Sequence, residues 1–127
     1  MPATPIGLDG CTVRIIDEEK VAAAHARLPA EDELARLTQL FRLLGDATRA
    51  RLLYAVLEAG ELCVCDLAAA TRTPETNVSH ALRLLRTAGI VKARRAGRTI
   101  HYSLDDAHVR LLLDVSREHL RHAAERE

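Results

Sequence analysis

The sequence predicts a mainly α-helical fold with one small β-hairpin. Three observations carry this. Apolar residues return at helical spacing over most of the chain. Two short helical segments, residues 61–70 and 74–88, are separated only by a tight turn. A basic, alternating segment folded about a glycine follows them. Helix, turn, helix and basic hairpin in that order make a winged helix-turn-helix.

The elements follow in order. Residues 1–10 carry Pro and Gly and predict no element. Asp17 to Arg27 reads as a short helix that stops before Pro29. Glu31 to Leu44 repeats apolar positions at Leu34, Leu37, Leu40, Phe41 and Leu44, a helical period. Gly45 breaks it, and Asp46 can cap a helix carrying Leu52, Leu53, Val56 and Leu57, which ends at Gly60. Glu61 to Ala70 reads as a short helix. Thr73-Pro74-Glu75 is a start signal: a capping hydroxyl, a proline at the first helical position and an acid in the first turn. The helix it opens turns Val78, Ala81, Leu82 and Leu85 inward and ends at Gly89. Ile90 to Arg95 and Arg98 to Leu104 form the hairpin about Ala96-Gly97, and Ile100, Tyr102 and Leu104 alternate as in a half-buried strand. Asp105 to about Ala124 closes the chain as a helix with Val109, Leu112, Leu113 and Val115 as apolar positions. Residues 1–30 are expected to form an arm with a short helix, and residues 31–127 the winged helix-turn-helix and dimerisation domain.

Composition narrows the class. With 127 residues, 48% of them apolar, the chain can bury one core, and with 2% aromatics that core must be aliphatic. Neither a membrane span nor a basic-then-apolar leader is apparent, which reads as a cytoplasmic protein with no membrane partner. Three cysteines without a secretion signal favour thiols or metal ligands over disulfides. The net charge is zero, yet its distribution is uneven. Between Arg72 and Tyr102 stand Arg72, Arg83, Arg86, Lys92, Arg94, Arg95 and Arg98 against Glu75 alone, a local charge of +6. Local field governs a phosphate-binding surface. The second helix of the pair would enter the major groove with Thr76, Asn77, Ser79 and His80 at base edges and Arg83 one turn on. Arg94, Arg95 and Arg98 at the hairpin suit phosphate or minor-groove contact.

Two groups of ligand-type residues stand out. The first is Asp106, His108, His119 and His122 in the last helix, donors that suit zinc. His108 and His119 fall within about 20° on the helix but about 16 Å apart along it, so one ion cannot span them. A second copy running antiparallel would bring Asp106 and His108 of one subunit beside His119 and His122 of the other. A metal, a dimer and a site between subunits are therefore predicted together. The second group is Cys63 and Cys65, whose thiolates favour soft ions such as cadmium or lead, and also zinc. In a regular helix these positions lie about 200° apart, so the sulfurs converge only if the helix starts here or a third group comes round. Cys11 is a candidate for that group, and Asp66 a weaker one. His25 and His101 match no cluster and are read as non-functional. No pocket signature, nucleophile elbow or glycine-rich cradle points to an enzyme or an organic cofactor.

These residues resemble the ArsR/SmtB family of bacterial metal-sensing repressors, and most closely its cadmium, lead and zinc sensors. The likeness runs from about Cys11 to His122. It rests on Asp17-Glu18-Glu19-Lys20-Val21, the Glu61–Ala68 box, Asn77-Val78-Ser79-His80-Ala81-Leu82 and the Asp106/His108/His119/His122 set. The resemblance implies a homodimeric repressor that binds operator DNA and lets go when Zn2+, Cd2+ or Pb2+ binds. It makes Cys63 and Cys65 thiolate ligands, with Cys11 supplied by the N-terminal arm, and it matches the four terminal residues to a zinc site. One departure is Ile15, where those sensors carry a second N-terminal cysteine, so a four-sulfur site is reduced to three sulfurs. The rival expectation is a redox-sensing repressor in which a cysteine is oxidised and no metal acts.

Overall fold

The computed structural model describes residues 6–8 and 11–126, with side chains from 14 to 126. Two compact units follow one another, Met1–Leu37 and Thr38–Glu127.

In the first unit, β1 (Ile6–Leu8) pairs antiparallel with β2 (Cys11–Val13). Helix α1 (Glu18–Arg27) is capped by Asp17, whose carboxylate accepts the Lys20 N–H at 3.0 Å. Two glutamates sit in the first turn of α1, and none of its residues is buried. Helix α2 (Glu31–Leu44) starts in this unit and ends in the next.

The second unit holds the core. Helix α3 (Ala47–Ala59) is capped by Asp46, which accepts the Arg49 N–H at 3.0 Å. Arg49 in turn donates through Nε to the Leu43 carbonyl at 2.8 Å, which joins the end of α2 to the start of α3. Gly60 ends α3 at φ 87°, a conformation that favours glycine. There follow β3 (Leu62–Cys63), α4 (Val64–Thr71), α5 (Glu75–Thr87), β4 (Val91–Ala96), β5 (Thr99–Leu104) and α6 (Ala107–Arg126). The strands form one antiparallel sheet in the order β3-β5-β4. Leu52, Leu53, Val56, Leu67, Val78, Leu82, Leu85, Ile90 and Val91 are the fully buried aliphatics. The inward set expected for α5, Val78, Ala81, Leu82 and Leu85, is buried throughout.

Several local expectations change. Residues 6–8, within the stretch expected to form no element, pair as β1 with β2, an antiparallel register that only the two strands together reveal. The hairpin gains a third strand, because Leu62 and Cys63 pair with Tyr102 and His101 and do not join the helix. Helix α4 accordingly starts at Val64 and not at Glu61, and Cys63 occupies its N-cap. At α5, Pro74 takes the N-cap, while the Thr73 hydroxyl donates to the Thr71 carbonyl at 3.2 Å instead of capping. Asp106 stands just before α6 and caps it, accepting the N–H groups of His108 and Val109 at 2.9 and 3.1 Å.

Candidate nucleic-acid interface and metal centres

Helices α4 and α5 are joined by Arg72, Thr73 and Pro74, with Arg72 left-handed at φ 53°. Burying one face of α5 turns the other outward. Thr76, Asn77, Ser79, His80 and Arg83 are all exposed, so the four residues expected at base edges and the arginine one turn on share an outer surface. The N-terminus of α3 lies beside them: Asp46, Thr48 and Arg49 share a surface cleft with Thr76, Asn77 and His80. Thr48 is an addition that the sequence did not single out, since its placement depends on how α3 packs against α5. At the hairpin, Gly97 makes the turn at φ 64°, and Arg95 and Arg98 are exposed. Arg94 is held differently. Its guanidinium donates two bonds to Glu61, 33 positions away, at 2.6 and 3.1 Å. The paired guanidinium holds the Glu61 carboxyl below its usual range, and the pair raises Arg94. Arg94 therefore offers phosphate less net charge than Arg95 or Arg98.

The three histidines of the terminal group lie on one outer stripe of α6. His108, Leu112, Val115, His119 and His122 follow at alternating steps of four and three, the spacing of a single helix face. Leu112 is 36% exposed and Val115 52%, while the inner side of α6 buries Leu113. His119 and His122 line a shallow groove with Val115 and Glu118. At the other end Asp106 Oδ2 is 3.6 Å from His108 Nδ1. The Val109 N–H first, and then the His108 N–H and imidazole, hold the Asp106 carboxyl below its usual range. The carboxylate is thus kept charged by a capping role that needs no metal.

Contacts fasten α6 and the segment before it to α3 and to the segment after α5, among them a bond from Arg110 Nη2 to the Leu57 carbonyl at 3.5 Å. The Asp105 N–H donates to the Ile90 carbonyl at 3.0 Å, just beyond the end of α5. The Tyr54 hydroxyl of α3 donates to the Leu113 carbonyl at 2.8 Å. The Arg117 guanidinium sits 5.7 Å over the Tyr54 ring.

At the thiol group, the start of α4 falls between Cys63 and Cys65, which removes the regular-helix obstacle to their convergence. Cys63 is half-buried and Cys65 exposed. The Glu75 carboxylate, hydrogen-bonded to the Cys65 thiol, pushes that thiol up from its ordinary value. Cys11 starts β2, and its side chain lies outside the described residues. Among the described residues, no three ligand-type side chains converge on one point within a single chain.

Residues 46–93 match the family model described as "Bacterial regulatory protein, arsR family". A "Cadmium resistance transcriptional regulatory protein CadC homolog" of Staphylococcus aureus is 39% identical over 116 residues, covering 91% of this chain and 95% of that protein. The chain belongs to the ArsR/SmtB family. A "Transcriptional repressor SmtB homolog" of Synechocystis sp. is 41% identical over 110 residues, covering 87% of this chain and 83% of its own length. The crystal structure of the AntR antimony-specific transcriptional repressor superposes with a TM-score of 0.69 at 36% identity, covering 77% of this chain and 88% of that one. This ArsR/SmtB chain is thus a winged helix-turn-helix transcriptional repressor with metal-responsive relatives, and those relatives are regulators and not enzymes. Among the described residues no helix is long and apolar enough to cross a membrane.

The two donor sets differ in the metals they suit. The Asp106 carboxylate before α6 and three imidazoles on it make a borderline, nitrogen-rich set suited to zinc. Two thiols flanking the start of α4 make a soft set suited to cadmium or lead.

Proposed function

We propose that this repressor binds operator DNA in the cytoplasm as a homodimer and is released when zinc, cadmium or lead binds. One observation carries the reading. The exposed stripe of α6 has an apolar middle, Leu112 and Val115, and ligand groups at both ends. Its two ligand pairs are about 16 Å apart along the helix, too far for one ion. An antiparallel second copy satisfies both needs, since two-fold symmetry brings each end of the stripe to the opposite end of its mate. Apolar surface is then buried, and Asp106 and His108 meet His119 and His122 of the partner subunit. Leu34, Phe41, Leu111 and Leu120 add exposed apolar surface on α2 and α6.

DNA would be read by Thr76, Asn77, Ser79, His80 and Arg83 in the major groove, with Arg95, Arg98 and, less strongly, Arg94 on the backbone. Half-sites of a palindrome lie about 34 Å apart, so a small change in subunit angle misplaces both recognition helices. Metal on α6 acts on that angle. Asp105, next to the ligand Asp106, is bonded to Ile90 at the end of α5, and Tyr54 ties Leu113 to α3. Metal and operator then weaken each other by the same factor. Cys63 and Cys65, with Cys11, form the second centre.

The test is a fluorescence titration of protein bound to DNA from upstream of its own gene, using zinc, cadmium and lead on the wild type, His119→Ala and Cys63→Ser. Loss of the zinc response in the first variant and of the cadmium or lead response in the second supports the reading. Normal release of both variants by all three ions contradicts it.

A further inference from the structure

We infer that His101 is a nitrogen ligand of the thiolate centre, binding metal beside Cys63 on the outer face of the β3-β5-β4 sheet. The inference rests on the thiolate reading above and adds a residue to it.

Strand register places the two side chains together. Cys63 lies directly opposite His101, and His101 directly opposite Arg94. Residues paired in this way share a face of the sheet, with Cβ atoms about 4.5–5.5 Å apart. The neighbouring row sets which face. Leu62, Tyr102 and Ala93 are paired with one another, and Leu62 and Tyr102 pack against the core. Side chains alternate along a strand, so Cys63 and His101 project away from the core. Both are half-buried.

The geometry suits one ion. Metal–sulfur and metal–nitrogen bonds of about 2.3 and 2.0–2.1 Å are within reach of a cysteine and a histidine whose Cβ atoms are so spaced. The chemistry also calls for such a donor. The chain has three cysteines, and a closed tetrahedral centre takes four donors. Of the carboxylates nearby, Glu61 is held by Arg94 through two hydrogen bonds. An imidazole also suits a borderline-soft ion better than a carboxylate does. Arg94 shares the row, but its charge is matched by Glu61.

The experiment titrates cadmium into the full-length protein, following the sulfur-to-cadmium charge-transfer absorption, chelator competition and the ring 15N signals of the histidines. The expected result is a sulfur band in the wild type, with His101 ring signals that move on cadmium binding. In His101→Gln the band survives but affinity falls about tenfold or more. In Cys63→Ser the His101 signals stay still. Unmoved His101 signals in a wild type that shows the sulfur band overturn the inference and leave the thiolate centre standing. Absence of any sulfur band in the wild type overturns both. If His101→Gln instead weakens metal-free DNA binding and leaves cadmium affinity unchanged, His101 is a wing contact to DNA and the inference fails. The ring signals come from the unaltered protein, so the answer does not depend on the variant folding.

Discussion

Helices α5 and α6 are both amphipathic, yet the chain treats them differently. Helix α5, thirteen residues long, buries Val78, Ala81, Leu82 and Leu85 and shows solvent a polar and basic face. Helix α6, twenty residues long, buries only Leu113 and leaves Leu111, Leu112, Val115 and Leu120 exposed. A helix whose apolar positions are covered, Leu84 excepted, offers a mainly polar face, which suits a hydrated, charged partner such as DNA. One with apolar residues left over calls for another apolar surface, and the proposed contact with a second copy would also bring the histidines at the ends of that stripe together. On the proposed reading the difference separates the two tasks of a repressor, reading and sensing, into two helices, with Tyr54–Leu113 tying α6 to α3 and Asp105–Ile90 tying the segment before α6 to the segment after α5.

Substitutions that exchange the roles of the two helices break this contrast. The largest effect is expected for Leu82→Ala on the covered side of α5, a loss of about 2–5 kcal/mol of stability in thermal or denaturant unfolding. The equivalent truncation Val115→Ala on α6 should barely alter unfolding of an isolated subunit but weaken the dimer, as read by sedimentation at falling concentration. Equal destabilisation by both would erase the contrast. Next is Arg83→Ala. It is expected to weaken metal-free operator binding by about 1–3 kcal/mol with no change in dimerisation.

Smaller effects sharpen the account. Glu61→Gln frees Arg94 from its ion pair, so DNA binding should strengthen modestly and its salt dependence steepen by about one counterion. No change in salt slope would mean that Arg94 does not reach phosphate. The smallest effect is a pH dependence at the start of α6. The folded-state carboxyl of Asp106 is held low by the Val109 and His108 N–H groups. Its capping contribution is therefore present at and above the ordinary carboxylate range, near about 3.9, and lost as pH falls through the lower folded value. The Val109 amide shift should report this transition below the usual range, and a midpoint above it would contradict the capping geometry.

Much of this was legible in the sequence because it is local. The Asp46 cap, the inward set of α5, the basic run after Arg72 and the ligand spacing in the last helix all depend on neighbours within a few turns. What was not legible depends on distant pairing. A two-residue strand has no period to detect, so Leu62 and Cys63 read as helix until β5 claimed them. For the same reason His101 looked isolated, although it pairs with a cysteine 38 positions earlier. The Glu61–Arg94 pair likewise joins residues 33 apart. On α6 the apolar residues fall on two faces. Periodicity placed Val109, Leu112, Leu113 and Val115 on one helix without saying which meet the core and which meet a second copy. Cys11 had a predicted role in the thiolate centre, and its side chain lies outside the described residues.

Subunit complementation tests the central claim most directly. One subunit carries Asp106→Ala with His108→Ala, the other His119→Ala with His122→Ala, and zinc binding is measured for each alone and for the two mixed. A site shared between antiparallel helices predicts no α6 zinc in either variant alone and one intact site per mixed dimer. No recovery on mixing, with mixed dimers formed, would contradict it.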